Sequence, residues 1–158
     1  MKNKLSPIGL DPQKSKKLAS KLNLLLANYQ ILYMNTRGFH WNVTGEKFFE
    51  LHLKFEELYN NFNLKVDEIA ERVLTLGHTP MHSYHDYLKH ATIAENRSVL
   101  NGKQSVESIV SSFRELIILQ REILDIANDM GDEGSNALMS DNIREQEKTV
   151  WMLNAYLG

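Results

Sequence analysis

Five residues in the first half of the chain have the types and spacing to do chemistry: His40, His52, Glu56, Asp67 and Glu71. Imidazole and carboxylate together are the donors of a divalent-metal site. Four of the five lie in a stretch that reads as one helix from Glu46 to about Leu76, at spacings of four, eleven and four residues. At about 100° per residue these four fall within a stripe about 100° wide. Phe49, Phe55, Tyr59, Phe62, Val66 and Ile69 are interleaved with them, so the expected metal site lies near a buried face.

His52 and Glu56 stand one turn apart and can grip one ion, as can Asp67 and Glu71. The two pairs are about 16 Å apart along the helix axis, at about 1.5 Å per residue. No single ion reaches both within one chain. An antiparallel second copy of the helix, crossing near Asn61 and Phe62, would set His52 and Glu56 against the partner copy's acidic pair. A two-fold axis would then create two equivalent sites shared between subunits. Spacing alone therefore predicts an oligomer.

The elements that must position these residues are helical. The chain has 158 residues, 42% of them hydrophobic, enough for one domain with a substantial core. Leu18, Leu22, Leu25, Tyr29 and Leu32 set a helical period from Gln13 to about Gly38. Asn42 to Gly45 breaks the chain before the ligand-bearing helix, which Gly77 ends and Pro80 stops. The long connection from His78 to Lys103 has room for a short helix at Ser83 to His90. A third long helix starts after Asn101-Gly102 and ends at Gly131 to Gly134; a fourth covers about Ser135 to Leu157. Long helices joined by short, long and short connections predict an all-α four-helix bundle with one long crossover. The whole of 1–158 reads as a single domain, with 1–12 as a flexible tail.

Composition narrows the function further. With no cysteine, any metal is held by nitrogen and oxygen, a set that suits iron, manganese or zinc. A net charge of −2 gives no electrostatic case for tight nucleic-acid binding by the body of the protein. No run of about 18 apolar residues occurs, and Met1 to Leu10 lacks the apolar core of a secretory signal. The expected location is cytoplasmic, with no membrane partner.

Phe39-His40-Trp41-Asn42-Val43-x-Gly45, Phe49 and Phe55 around Leu51-His52, Asp67-Glu68-x-Ala70-Glu71-Arg72 and Trp151-Met152-Leu153 together resemble the Dps family, the ferritin-like mini-ferritins. The resemblance covers nearly the whole chain in helix order and length, and implies a ferritin-like bundle. It implies shared-site iron ligands at His40, His52, Glu56, Asp67 and Glu71. Many members carry aspartate where this chain has Glu56, one methylene longer and still a hard oxygen ligand. It further implies ferroxidase chemistry: Fe(II) binds between subunits, hydrogen peroxide accepts electrons, and ferric mineral collects in a hollow homo-dodecamer that protects against oxidative stress. Zinc or manganese could enter the same site. Trp41 resembles a tryptophan beside that centre, where it could relay an electron or simply fill core space.

The resemblance also implies cation pores lined by acids near the turn into the last helix, here Asp132, Glu133 and Asp141, against the alternative of plain helix capping. Lys2, Lys4, Lys14, Lys16, Lys17 and Lys21 bear on a rival function, a DNA-compacting protein with minor metal chemistry, since some relatives bind DNA through a lysine-rich tail. With Lys14 onward on the first helix, the free tail is short, and strong DNA binding is not expected. A conventional di-iron site inside each bundle needs Glu-x-x-His pairs, and none of the six histidines has a glutamate three residues before it. His78, His82, His85 and His90 gather in the long connection and could bind a surface ion, without the helix-borne pairing of a metal site.

Overall fold

Asp11 starts the first helix. Its carboxylate accepts hydrogen bonds from the Gln13 and Lys14 amides at 2.8 and 3.3 Å, and Pro12 fills the first helical position, where no amide hydrogen is needed. In the computed structural model, which describes residues 5–158, this helix is α1, Pro12–Asn42. It outruns the expected end at Gly38 by a turn. The extra turn buries Phe39 and His40, which offsets the cost of a mid-helix glycine. Lys2 and Lys4 lie outside the described residues. Part of the expected tail, residues 6–10, closes a turn through the Ser6 amide on the Leu10 carbonyl at 2.8 Å.

The other elements are α2 (Phe48–Thr75), α3 (Tyr84–His90), α4 (Gly102–Met130) and α5 (Glu133–Leu157). The expected start of α2 at Glu46 is two residues early, because residues 43–47 are spent on the turn. Ser83 caps α3 through the Asp86 amide at 3.2 Å. Asn101 and Gln104 form a reciprocal capping box at the start of α4. Gly131 ends α4 in the left-handed region at φ 72°, a conformation that suits glycine.

The four long helices pack as two antiparallel pairs, α1 with α2 and α4 with α5, with α1 also against α4. The starts of α2 and α4 meet: a Cβ on Gly102 would lie 2.5 Å from Leu51 Cδ1. These two helices are therefore parallel, and residues 76–101 carry the chain back along the bundle as the single long crossover. No strand occurs among the described residues. The architecture is the all-α, ferritin-like bundle expected, with the short helix in the crossover.

Leu18, Leu22, Leu25, Phe55, Phe62, Phe113 and Ile109 are fully buried and form the core. Inside it, Tyr29, Gln120 and Gln146 close a hydrogen-bonded ring. The Tyr29 hydroxyl donates to Gln120 at 3.0 Å, Gln120 donates to Gln146 at 2.7 Å, and Gln146 donates back to the Tyr29 oxygen. Burial pushes the Tyr29 phenol far above its ordinary range, with the Gln146 hydrogen bond opposing that rise. Asp132 is the one buried acid among the described residues.

Candidate metal centre

His40, near the end of α1, and His52, one turn into α2, face each other across the tight turn between these helices. His40 Nδ1 lies 2.7 Å from the His52 carbonyl oxygen, and His52 Nδ1 lies 2.8 Å from the His40 carbonyl oxygen. A carbonyl oxygen only accepts, so each Nδ1 carries the hydrogen and donates it. Both Nε2 atoms are left with lone pairs free for a ligand, the anchoring found behind most metal-bound histidines. The rings stack with centroids 3.7 Å apart at 17°, and Phe48 stacks on His52 at 5.0 Å.

Glu56, one turn beyond His52, completes a cluster. His40, His52 and Glu56 each offer a ligand atom within 4.8 Å of the others, the one such group among the described residues. Donors on opposite sides of one ion stand about 4.2 Å apart for bonds of about 2.1 Å. Small side-chain adjustments therefore suffice to close the cluster on one divalent ion. His40 is buried, while His52 and Glu56 are half-buried.

Asp67 and Glu71 are not brought to this cluster. Both are exposed on α2, and neither carboxylate enters an ion pair among the described residues. Their surroundings differ from the expected interleaving. Phe55, Phe62 and Ile69 are buried on one side of α2, whereas Phe49 is 78% exposed and does not join that face. Glu56, Asp67 and Glu71 share the opposite side with Leu53, Leu64 and Leu74, all exposed. At about 100° per residue these six fall within roughly 60–80° of the circumference. The acids thus border a second, outward apolar stripe, and Phe62 belongs to the chain's own core.

Trp41 is exposed, and the Arg37 guanidinium lies over its ring at 4.8 Å. The same guanidinium lies 5.1 Å from the Tyr59 ring and 5.6 Å from the Tyr33 ring, and donates to the Tyr33 hydroxyl at 2.8 Å. Tyr59 in turn sets its ring edge to face with His40 at 5.2 Å. Reading for metal ligands passes over this aromatic box. Its signal was present in the ridge Tyr33, Arg37, Trp41, spaced by four on α1.

Near the last turn, Asp132 is buried. It accepts from Arg72 Nη2 at 2.5 Å and caps α5 through the Ser135 amide at 3.1 Å. Its contacts are those of a cap and an ion pair. Glu133 is exposed, and Asp141 is exposed and paired with Arg144 at 2.8 Å. The crossover histidines do not converge on a metal site. His78 bonds Ser15, His82 the Pro80 carbonyl, and His90 the Asp86 carbonyl.

Comparison with known proteins places the chain in a family. The ferritin-like domain model matches residues 19–158. The crystal structure of the Dps protein from Vibrio cholerae O1, described as a member of a broad superfamily of ferritin-like diiron-carboxylate proteins, superposes with a TM-score of 0.96 at 57% identity, covering 98% of this chain and 97% of that one. An uncharacterised protein of Haemophilus influenzae is 51% identical over 94% of this chain and 92% of its own length. The DNA protection during starvation protein of Porphyromonas gingivalis is 37% identical over 99% of this chain and 98% of its own.

Proposed function

This chain belongs to the Dps family of ferritin-like proteins, and we propose on that premise that it is a ferroxidase and iron-storage protein. Fe(II) is its substrate, hydrogen peroxide its preferred oxidant, and a hollow homo-dodecamer the container for the ferric product. In this reading it works in the cytoplasm, as a single domain, against oxidative stress.

The observation that carries the proposal is the half-site. His40 and His52 fix each other's Nδ1 hydrogens and free both Nε2 atoms beside Glu56. Imidazole nitrogen and carboxylate oxygen fit Fe(II), and also zinc or manganese. The acids Asp67 and Glu71 sit on the same outward stripe of α2 with no ion-pair partner among the described residues. A second copy laid antiparallel on Leu53, Leu64 and Leu74 would bury that apolar stripe and bring the acids to the half-site. Two ferrous ions then supply one electron each to peroxide, whose O–O bond breaks to oxygen at the level of water, without release of hydroxyl radical. The carboxylates favour the more highly charged ferric product. The protein orients metal and oxidant and confines what forms.

Trp41, exposed beside Arg37 and next to His40 in sequence, would in this reading relay an electron. Glu133 and Asp141 are the more exposed candidates for a cation pore, since Asp132 is engaged with Arg72. A DNA role, which the name of the Porphyromonas gingivalis relative raises, is the weaker reading for a chain of net charge −2. A salt-sensitive shift of plasmid on a gel would reverse that order. The deciding test is a crystal structure after anaerobic ferrous soaking, with anomalous signal locating each ion. Iron between His52 and the acids of a second copy supports the proposal; iron elsewhere, or none, overturns it.

A further inference from the structure

The crossover returns over α1 and leaves an open cavity of about 520 Å³ against it, lined by Lys16, Ser20, Lys21, Asn23, His78 and His90 among others, with no carboxylate in its lining. We propose that this cavity binds a small oxyanion of the inorganic phosphate class.

Its wall is fixed. Asn23 donates to the Thr79 carbonyl at 3.1 Å and accepts from the Met81 amide at 2.7 Å, pinning the crossover to α1. The histidines are anchored by hydrogen bonds. Ser15 Oγ lies 3.0 Å from both the Pro12 carbonyl and His78 Nε2, and the latter hydrogen bond fixes the His78 ring. His90 Nδ1 donates to the Asp86 carbonyl at 2.9 Å. In each ring the other nitrogen makes no hydrogen bond among the described residues. An oxyanion accepts from any imidazole nitrogen that carries a hydrogen, and Lys16 beside it adds a charged donor.

The surrounding charges fit an anion. Lys21 is paired with Glu122 on α4 at 2.8 Å, and the Asp86 carboxylate takes the Ser83 hydroxyl at 2.9 Å. Lys16 enters no ion pair among the described residues. Lys16, Lys21, His78 and His90 thus line one concavity, with Lys16 the lysine free of an ion pair among the described residues, in a protein whose net charge is −2. The same phosphate chemistry could come from a nucleic-acid backbone. The concave shape favours a small ion, and the experiment separates the two.

Inorganic phosphate is titrated into the intact, metal-free protein and followed by phosphorus NMR line broadening, which keeps phosphate on iron out of the measurement. Saturable binding is expected, weakened roughly tenfold in Lys16→Gln and in His90→Gln. It should stay unchanged in Lys148→Gln, which removes the same charge from α5. Absent saturation, or equal loss in all three variants, overturns the proposal. A parallel gel shift with a short DNA duplex supplies the other arm: duplex binding lost in the Lys16 and His90 variants, without binding of free phosphate, would assign the cavity to nucleic-acid phosphates instead. Iron oxidation at the half-site does not enter either readout.

Discussion

His40 and His52 hold each other before any metal arrives. Each ring spends its Nδ1 hydrogen on the other's backbone carbonyl, at 2.7 and 2.8 Å, so orientation and tautomer come from the turn that joins α1 to α2. Each bond is worth about 1 kcal/mol net, and together they remove the rotamer freedom a metal would otherwise have to freeze. The twelve-residue spacing of the histidines is readable in the sequence, but this reciprocity is not, because it depends on α1 running past Gly38 to Asn42. Truncating His52 removes a ligand and little core volume, since it is only half-buried. His52→Ala should slow ferrous oxidation at least about tenfold, on the scale seen for losses around metal sites, and leave assembly mass unchanged. Stopped-flow absorbance beside light scattering checks it, and an unchanged rate would make His52 a packing residue.

Arg72 joins two elements that the chain places far apart. From the end of α2 it reaches the start of α5, donating to Asp132 at 2.5 Å and to Ser135 at 2.8 Å. Gly134 leaves room for the guanidinium: a Cβ there would come within 2.8 Å of it. Arg72→Ala would leave the Asp132 carboxylate buried without its cation, a loss of about 3–5 kcal/mol for a well-buried pair. A fall in the melting temperature should therefore accompany an iron half-site that still binds, and an unchanged melting curve would count against this link. Helix order was legible because Asn101, Gly131, Pro80 and Ser83 punctuate the chain with known cap and stop chemistry. The joints between helices were not. Asn28 accepts from the Thr92 and Ile93 amides and Asn35 from the Asn96 amide, holding the crossover to α1. Asparagine within a helix carries no pattern that announces such a distant partner. The common stripe of Glu56, Asp67 and Glu71 on α2 was legible from periodicity, whereas its neighbours were not: Phe55, Phe62 and Ile69 are buried on the other side of the helix, and Phe49 is exposed.

At the scale of the molecule, the proposed shared site would make assembly a requirement for chemistry. Native mass should lie near twelve times the 18.3 kDa of the chain, and a stable monomer would end the shared-site argument. Shells of His52→Ala chains and of Glu71→Gln chains should each be inactive, yet shells reassembled from a mixture should regain activity. In a mixed dimer both defects fall on one site and leave the other whole; no recovery would place the acids outside the site. The choice of oxidant follows from the same construction. An intrachain di-iron cage surrounds its metals with buried carboxylates and suits dioxygen, but here the one buried acid, Asp132, is tied to Arg72. The proposed site instead mixes two imidazoles with carboxylates supplied across an interface, and its own-chain part lies half-buried. Anaerobic ferrous protein should therefore react much faster with hydrogen peroxide than with air, consuming two ferrous ions per peroxide and leaving little hydroxyl radical for a spin trap. In the proposed site the pairing of irons would depend on Glu56, whose extra methylene relative to aspartate lengthens its reach, so Glu56→Asp is the variant in which to compare stoichiometry. Equal rates with the two oxidants, or abundant trapped radical, would shift the weight from detoxification to storage or to a DNA role.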